Sequence, residues 1–365
     1  MFKISSMPHI FLESHNINNL YFGLGQYNKQ LIEALHIEIL KQNDDLEFTV
    51  MSSRKSSFSK KILNDFKHKS YKSIYRKKWF RIRKKYDLWH SLNQNTKIEP
   101  YHNIPYLLTV HDVNFMEEMT GEKLEKHKKR FENKLARTNA ITYISNYAKS
   151  MTHKYFNVPN VKEYVIYNGS ANISNKLVET HEPEHAIKGK YLFFIGEFLE
   201  KKNIHTLIEM LVHLPDFTLL LAGKNTTTYA DKCRQLIEAL NLQERVIITG
   251  KISEEDKWFH YKNCTAFVFP SLREGFGLPP IEAMQFGKPV ILSNKSALPE
   301  VGGPHAYYWE HFEPKYMAEL VIKSLDNFQS NQLLKSEAIK TYAQSFSWSK
   351  TAKEYIQVYK SLLLK

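Results

Sequence analysis

Short apolar runs alternate with longer amphipathic stretches along nearly the whole chain. Runs of four to eight apolar, β-favouring residues predict strands, and an apolar repeat near 3.6 residues predicts helices. Strands are predicted at 2–7, 46–53, 86–92, 106–112, 140–145, 164–169, 191–197, 217–224, 245–251, 266–271 and 289–293. Helices are predicted at 23–40, 122–138, 146–156, 203–213, 229–240, 253–262, 279–286 and over most of the chain beyond 314. This alternation predicts an α/β fold of doubly wound, Rossmann-like domains.

The polar stretch 171–190 interrupts the alternation and predicts a linker between two domains. A chain of 365 residues, 42% of them hydrophobic, is long enough and apolar enough to build two cores. The predicted domains are residues 1–172 and 173–345, followed by a final helical segment at 346–365.

The stretch "SLREGFGLPPIEAMQFGKPVILS" places Glu274 before a glycine turn and Glu282 inside the helix that follows. Strand, turn, helix and strand form a βαβ crossover, and parallel sheets bind ligands at the carboxyl ends of their strands. Helix N-termini attract phosphates, whereas a carboxylate repels them, so the two glutamates are predicted to accept hydrogen bonds from hydroxyls. Hydroxyls on both sides of a diphosphate are typical of a nucleotide sugar. The backbone amides predicted to face the diphosphate are those of Phe276, Gly277 and Leu278.

This stretch resembles the signature of the retaining GT-B glycosyltransferases of family four, the group 1 glycosyltransferases, and the resemblance is mannosyltransferase-like. The resemblance covers nearly the whole chain. It implies a GT-B architecture of two domains that face each other across a cleft, with the last helix crossing back to the N-terminal domain. It also implies transfer of a hexose from GDP-mannose or a UDP-hexose to a glycan or lipid-linked acceptor, in the synthesis of cell-surface polysaccharide or lipopolysaccharide.

The resemblance assigns roles to three side chains of the candidate site. Glu282 would hold the ribose hydroxyls, while Glu274 and His111, in "LLTVHD", would act as catalytic residues beside the donor sugar. No nucleophile is evident, so the resemblance implies attack from the face that the diphosphate leaves. Taken alone, a histidine at the end of a strand is more typical of a structural cap, whereas in register with the other motifs of the family it favours a functional role.

Further donor-binding residues follow from the same resemblance. Lys201 and Lys202 match a basic pair that reaches the diphosphate, but Glu197 stands where many relatives carry arginine. The departure leaves open whether two basic groups hold the diphosphate. The remaining donor-binding candidates are Gly23 and Gly25 in the first glycine loop and Lys251 and Ile252 near the nucleobase. The glycine loop has an alternative interpretation, because a short glycine pattern is also typical of an ordinary entry to a helix.

Metal ligands and cofactor motifs are not evident in the sequence. Asp44 and Asp45 are the nearest approach to an acidic pair, and they precede a predicted strand in a charged turn. We therefore expect no metal and no cofactor beyond the nucleotide sugar, with lysines and amides neutralising the leaving phosphate. Cys233 and Cys264 lack ligand spacing, which favours a reducing compartment.

The excess positive charge is concentrated in residues 54–85. This segment holds 14 Lys and Arg and one Asp, whereas the rest of the chain holds 37 residues of each sign. Phe58, Ile62 and Phe66 recur at helical spacing within it, and a basic amphipathic segment with aromatics is typical of membrane-surface binding. A solvated basic loop is the alternative. The residues expected at an anionic membrane or acceptor are Arg76, Lys77, Lys78, Trp79, Arg81 and Arg83.

Two other functions are compatible with parts of the sequence. A nucleotide-sugar epimerase or hydrolase of the GT-B fold would need the same donor site without an acceptor. Nucleic-acid binding is suggested by the net charge of +13, but the charge is confined to one segment, so we expect no nucleic-acid partner. The first residues lack a secretory signal and no run reaches the roughly 20 apolar residues of a membrane span. We expect a cytoplasmic protein, peripheral at the inner face of the cytoplasmic membrane.

Overall fold

A computed structural model of the chain describes residues 7–20, 23–54, 57–170, 181 and 183–364. The chain divides into two compact units. The first is formed by Met1–Gly169 and Ser347–Lys365, and the second by Ser170–Phe346. The predicted strand at 2–7, except its last residue, and residues 171–180 and 182 of the predicted linker lie outside the described residues.

The first unit is built on a parallel sheet whose strands are almost entirely buried except at its edges. Its strands are β1 (His9–Glu13), β2 (Glu47–Ser52), β3 (Lys67–Ser70), β4 (Leu88–Ser91), β5 (Tyr106–Val110), β6 (Ala140–Tyr143) and β7 (Lys162–Val165). The spatial order is β3-β2-β1-β4-β5-β6-β7, with all pairs parallel. The helices that precede its C-terminal segment are α1 (Gly23–Gln42), α2 (Lys60–Asp65), α3 (Phe115–Glu118), α4 (Gly121–Leu135) and α5 (Asn146–Tyr155).

The second unit repeats this plan with a smaller parallel sheet, in the order β10-β9-β8-β11-β12-β13. Its strands are β8 (Lys190–Ile195), β9 (Phe217–Ala222), β10 (Val246–Gly250), β11 (Ala266–Phe269), β12 (Val290–Ser293) and β13 (Tyr307–Trp309). Its helices are α6 (Ile204–Leu211), α7 (Thr228–Ala239), α8 (Glu254–Asn263), α9 (Leu278–Gln285), α10 (Leu298–Gly302), α11 (Pro314–Gln329) and α12 (Gln332–Gln344). The predicted α/β class with doubly wound parallel sheets is confirmed.

The last helix, α13 (Trp348–Leu363), belongs to the first unit although it follows the second in the chain. It packs against α1, and the hydroxyls of Tyr27 and Tyr355 are hydrogen-bonded at 2.8 Å. Ser349 donates a hydrogen bond to the buried carboxylate of Glu38 at 2.9 Å. The expected return of the last helix to the N-terminal domain is confirmed.

The basic segment 54–85 is in part a structural element of the first sheet. Its residues 60–65 form α2, and its residues 67–70 form β3, which pairs with β2 at the edge of the sheet. Phe58, Ile62 and Phe66 are all buried, and the ring of Phe66 stacks on Phe48 with centroids 4.9 Å apart. The expectation that these three residues form the apolar face of a membrane-binding segment is therefore wrong, because that face is directed into the protein. Residues 55 and 56 lie outside the described part.

None of the helices among the described residues is both long enough and apolar enough to cross a membrane.

Candidate functional site

The turn between β11 and α9 has a backbone conformation that requires glycine. Gly277 precedes the first helical residue with φ at 124°, in the region that residues with a Cβ rarely adopt. A Cβ added there would also lie 3.0 Å from a methyl group of Leu298. The two prolines that follow occupy the first turn of α9, where their missing N–H groups cost nothing. The turn and helix therefore form as the sequence predicts.

Glu274 lies on this turn and is held by three neighbours. Its Oε1 is 2.5 Å from Nζ of Lys202 and accepts a hydrogen bond from the hydroxyl of Ser271 at 2.6 Å. Its backbone N–H donates to Oγ of Ser296 at 3.0 Å. The side chains of Glu274 and Lys202 are only 16% and 15% exposed, so the ion pair is shielded from water.

Both predicted lysines also contact residues next to Glu274 in the chain. The carbonyl of Lys201 accepts from the N–H of Leu272 at 2.7 Å, and the hydroxyl oxygen of Ser271, whose proton goes to Glu274, lies 3.2 Å from the same carbonyl. Nζ of Lys202 lies 5.0 Å from the ring centroid of Phe269, at the end of β11. These contacts bring Lys201, Lys202 and Glu274 together at the carboxyl edge of the second sheet.

Glu282 is directed from α9 toward α8 and is largely buried. Its Oε2 accepts a hydrogen bond from the hydroxyl of Tyr261 at 3.0 Å, and its Oε1 is 3.6 Å from Nζ of Lys257. Burial raises the pKa of Glu282 above its ordinary value, and the neighbouring charge of Glu254 adds to the rise. Lys257 and Tyr261 act against this shift. Glu282 is therefore a carboxylate whose ionised form depends on two neighbours from α8.

Glu197, which stands where many relatives carry arginine, forms an ion pair in the structure. Glu197 follows β8 and pairs with Lys224, which follows the neighbouring strand β9, at 2.8 Å. A lysine is thus present at this edge of the sheet. It follows β9, whereas an arginine at position 197 would follow β8. Lys251 and Ile252 follow β10, with Lys251 exposed and Ile252 partly exposed.

The other residues predicted around the turn have mixed environments. Phe276 is buried, and its ring contacts Phe346 edge-on with centroids 5.9 Å apart. Its side chain therefore packs in the interior of the second unit. Leu278 begins α9 and is partly exposed.

His111 lies at the end of β5 in the first unit and is buried. Its Nε2 donates to the carbonyl of Leu92 at 2.8 Å, because a carbonyl can only accept. Burial lowers the pKa of His111 to about 4, so the imidazole is neutral near pH 7. The ring of Tyr27 meets it edge-on with centroids 4.5 Å apart. His111 is thus a fixed, neutral imidazole of known tautomer.

The two glycines of the first loop differ in what their surroundings require. A Cβ at Gly25 would lie 2.0 Å from the carbonyl oxygen of Asn19, so no other residue fits there without a shift of the backbone. A Cβ at Gly23 would meet no atom within 4 Å. Both residues belong to α1, in the first unit.

Several residues that hold the candidate site were missed from the sequence. Lys257 and Tyr261 are four positions apart in α8, a spacing that places them on one helix face and could have marked them as partners. Ser271 belongs to the same stretch as Glu274, whereas Ser296 and Lys224 come from other segments, where nothing in the local sequence marks them. The missed residues are Ser271, Ser296, Lys224, Lys257 and Tyr261.

Within the described ranges, no three His, Cys, Asp or Glu side chains are grouped so that they could hold a metal ion.

A second surface of interest lies on the first unit, within the basic segment. Trp79 is 84% exposed and Phe80 is 50% exposed, and Ile74 nearby in the chain is also exposed. The guanidinium of Arg83 lies 5.2 Å from the ring centroid of Tyr101. We call this the aromatic–basic surface. Its members are Ile74, Arg76, Lys77, Lys78, Trp79, Phe80, Arg81, Arg83 and Tyr101.

Comparison with known families identifies the chain. The model of the family described as "Glycosyl transferases group 1" matches residues 178–360, about half of the chain, including every site residue of the second unit discussed above. The chain belongs to the group 1 glycosyl transferases. The family resemblance noted in the sequence is thereby confirmed.

Relatives of this chain include mannosyltransferases. The serotype-specific mannosyltransferase WbdA of Escherichia coli is 29% identical over 248 residues, which cover 63% of this chain but only 30% of WbdA. The O-antigen chain mannosyltransferase RfbU of Salmonella typhimurium is 31% identical over 215 residues, covering 57% of this chain and 59% of RfbU. The matched stretches thus span about a third of WbdA and less than two thirds of RfbU.

Solved structures support the fold of this group 1 glycosyl transferase across nearly its whole length. Sucrose-phosphate synthase from Thermosynechococcus elongatus superposes with a TM-score of 0.74 at 18% identity, covering 98% of this chain and 99% of that one. Anabaena HepE in complex with UDP-glucose superposes with a TM-score of 0.67 at 16% identity, covering 97% and 100%. The expected GT-B fold is confirmed.

Proposed function

We propose that this protein is a retaining hexosyltransferase that uses a nucleotide diphosphate sugar. The observation that carries the proposal is the grouping of Lys202, Glu274 and the glycine turn at Gly277 at the carboxyl edge of the second sheet. A cation and a helix N-terminus suit a diphosphate, and a fixed carboxylate suits hydroxyl groups. Membership of the group 1 glycosyl transferases supports the same reaction class.

The proposed chemistry uses the fixed charges of the second unit. Lys202 and the amides of the turn stabilise negative charge on the departing diphosphate, which is electrostatic catalysis by preorganised groups. Glu282 accepts hydrogen bonds from the ribose, and Glu274 accepts them from the donor sugar. The acceptor oxygen forms the new glycosidic bond as the bond to the diphosphate breaks, and its proton passes to the leaving diphosphate. His111 is the candidate catalytic residue of the first unit, and a turnover assay of His111→Ala tests it.

The donor and acceptor are proposed from the relatives. WbdA and RfbU are mannosyltransferases, and RfbU acts on the O-antigen chain, so we propose GDP-mannose as donor and a glycan or lipid-linked acceptor for cell-surface polysaccharide or lipopolysaccharide. UDP-hexoses are the second choice, since HepE was solved with UDP-glucose. No metal is proposed as a cofactor, because lysines and amides supply the positive charge at the site.

A donor panel tests the proposed function. Ligands that bind only the folded state raise the melting temperature, so GDP-mannose, UDP-glucose, UDP-galactose and UDP-N-acetylglucosamine are compared at matched concentration. We expect one donor to raise the melting temperature in the presence of EDTA as well as magnesium. No shift with any of them would contradict the proposal. Release of a free epimerised or hydrolysed sugar at full rate without acceptor would identify an epimerase or hydrolase instead.

We further propose that the aromatic–basic surface binds anionic lipid at the cytoplasmic face of the membrane. Trp79 and Phe80 are exposed apolar side chains surrounded by basic residues, which is the combination that interfacial binding uses. Each Lys or Arg near an anionic surface contributes about 1 kcal/mol. This binding would bring the enzyme to a lipid-linked acceptor. The core residues Phe58, Ile62 and Phe66 have no part in it.

Co-sedimentation with liposomes tests this surface. The wild-type protein should bind vesicles of phosphatidylcholine with 30% phosphatidylglycerol, and binding should fall as salt screens the charges. Trp79→Ala with Phe80→Ala should reduce binding at constant net charge. The matched control is Leu333→Ala with Leu334→Ala, two exposed apolar residues of the second unit, which should leave binding unchanged. Equal binding to neutral vesicles, or no effect of the Trp79 and Phe80 changes, would contradict the proposal.

A further inference from the structure

The ion pair between Lys202 and Glu274 joins two groups to which the proposed function gives different ligands. Lys202 is assigned to the diphosphate and Glu274 to the sugar, yet their charged atoms lie 2.5 Å apart. We propose that Glu274 is an internal counterion that competes with the nucleotide for Lys202. The inference rests on the proposed function and adds a regulatory role for the same site.

The surroundings of the pair make it a strong competitor. Both side chains are about 85% buried, so water screens their attraction only weakly. The same carboxylate oxygen also accepts a hydrogen bond from Ser271, which holds it toward the lysine. Nζ of Lys202 is further confined over the ring of Phe269. A diphosphate that binds Lys202 must therefore displace a fixed and shielded carboxylate.

The other carboxylates near this edge are paired differently. Glu282 is 3.6 Å from Lys257, which also pairs with Glu254 at 2.8 Å, and its second oxygen accepts from Tyr261. Its position therefore does not depend on Lys202. Glu274 is the carboxylate whose negative charge directly offsets the lysine proposed to hold the diphosphate.

The competition for Lys202 affects the binding of the intact donor and of the product nucleotide differently. When Lys202 turns to a diphosphate, Glu274 loses its cation and leaves Oε1 open to a hydroxyl donor. The hexose of an intact donor supplies that hydroxyl, so both charged groups remain satisfied. A nucleoside diphosphate without sugar supplies none, so Glu274 regains Lys202 and the product is held weakly. The pair thus favours donor over product and promotes release of the nucleotide after transfer.

Calorimetric titration separates these effects. GDP, UDP, GDP-mannose and UDP-glucose are titrated into the wild-type protein, Glu274→Gln, Lys202→Met and the double variant. Glu274→Gln should bind the nucleoside diphosphate about tenfold more tightly, at the lower end of couplings measured between close charges. It should gain less affinity, or lose some, toward the intact donor. In the Lys202→Met background, Glu274→Gln should have no effect on the nucleotide.

Glu282→Gln is the matched control, because it removes a carboxylate of the same site that does not pair with Lys202. It should weaken nucleotide binding, whereas Glu274→Gln strengthens it. Circular dichroism checks that each variant is folded, and Glu274→Ala provides a second removal of the charge. Unchanged or weaker binding of the nucleotide by folded Glu274→Gln and Glu274→Ala would overturn the inference. If the wild-type protein binds none of the four ligands, the proposed function itself is wrong.

Discussion

The two glutamates of the signature differ in how their charge is supported. Glu274 is next to a lysine and a hydroxyl, both within 2.6 Å. Glu282 is buried, and burial raises its pKa against the opposing effects of Lys257 and Tyr261. Because the ribose hydroxyls proposed to bind Glu282 are held best by an ionised carboxylate, the proposal predicts that the affinity for nucleotide depends on pH through Glu282. Binding should weaken as the pH falls through the raised pKa.

Tyr261→Phe should move this dependence to higher pH. The change removes a hydrogen bond that favours the ionised carboxylate, so the pKa of Glu282 rises further and binding is lost at a higher pH than in the wild type. Affinity for GDP or UDP, measured calorimetrically from pH 5 to 8, gives the profile. At pH 8 the substitution should weaken the binding free energy of GDP or UDP by at most about 2 kcal/mol.

The control for this experiment is Tyr229→Phe, which removes a buried hydroxyl on α7 in the same unit. Its pH profile should match that of the wild type. The free energy of unfolding depends on pH through Glu282 in the opposite direction to nucleotide binding. A raised pKa means that Glu282 favours the folded state most at low pH, and this contribution declines as the pH rises through the folded value. Profiles of Tyr261→Phe and the wild type that coincide would exclude the proposed influence of Tyr261 on Glu282.

The sequence predicted the two glutamates but not the side chains that control them. The glutamates belong to a local turn and helix, whose glycines and prolines constrain the backbone directly. Tyr261 and Lys257 reach Glu282 from a helix that precedes it by about twenty residues, and only tertiary packing brings them close. Lys224 likewise meets Glu197 because two strands end side by side. Such pairings depend on the register of elements, which a single sequence does not define.

At the scale of elements, helix α13 is joined to the first sheet by a buried network of hydroxyls. The hydroxyl of Tyr355 is 2.8 Å from that of Tyr27, 3.1 Å from Thr109 and 3.2 Å from Thr142. One turn further on, Tyr359 is bonded to Nδ1 of His90 at 2.8 Å. Buried polar groups are costly when left without partners, so this network depends on the presence of α13.

Tyr355→Phe should lower the free energy of unfolding by about 1–3 kcal/mol, because it leaves buried hydroxyls short of a partner. Urea denaturation followed by circular dichroism measures the change. Tyr101→Phe is the control, since Tyr101 is an exposed tyrosine of the same unit, and its effect should stay within about 0.5 kcal/mol. A stability for Tyr355→Phe equal to that of the wild type would show that the network does not hold α13.

Of the three strands that the sequence missed, two lie at sheet edges and one is central. β3 reads "KHKS" and lies at the edge of the first sheet, where one side of the strand is uncovered and no apolar run is needed. β13 is an edge strand of three residues. β1 is central and buried, but its run of apolar residues is short and ends in Glu13. Central strands with longer apolar runs were predicted correctly, because burial on both faces demands such runs.

At the scale of the whole molecule, the excess charge lies in one segment whose two parts have different environments. Residues 54–85 carry a net charge of +13, and the rest of the chain is neutral. The apolar side chains of its first part complete the core of the first unit, while its later residues expose Trp79 and Phe80 beside basic groups. A pattern of charge and apolar residues along the sequence could not separate these two parts, because both alternate basic and aromatic residues.

The placement of α13 has a consequence for how the protein can be divided. The chain leaves the first unit next to the point where it returns to it. A Cβ on Gly169 would lie 2.1 Å from the backbone N of Trp348. The N–H of Ser170 donates to the carbonyl of Phe346 at 2.9 Å. The second unit is therefore an inserted domain. A gene that joins residue 169 to residue 347 through a short glycine linker should encode a first unit that unfolds cooperatively in urea. A fragment that stops at residue 169 lacks α13 and should fail to do so, which makes the linked version the appropriate reagent for studying this half alone.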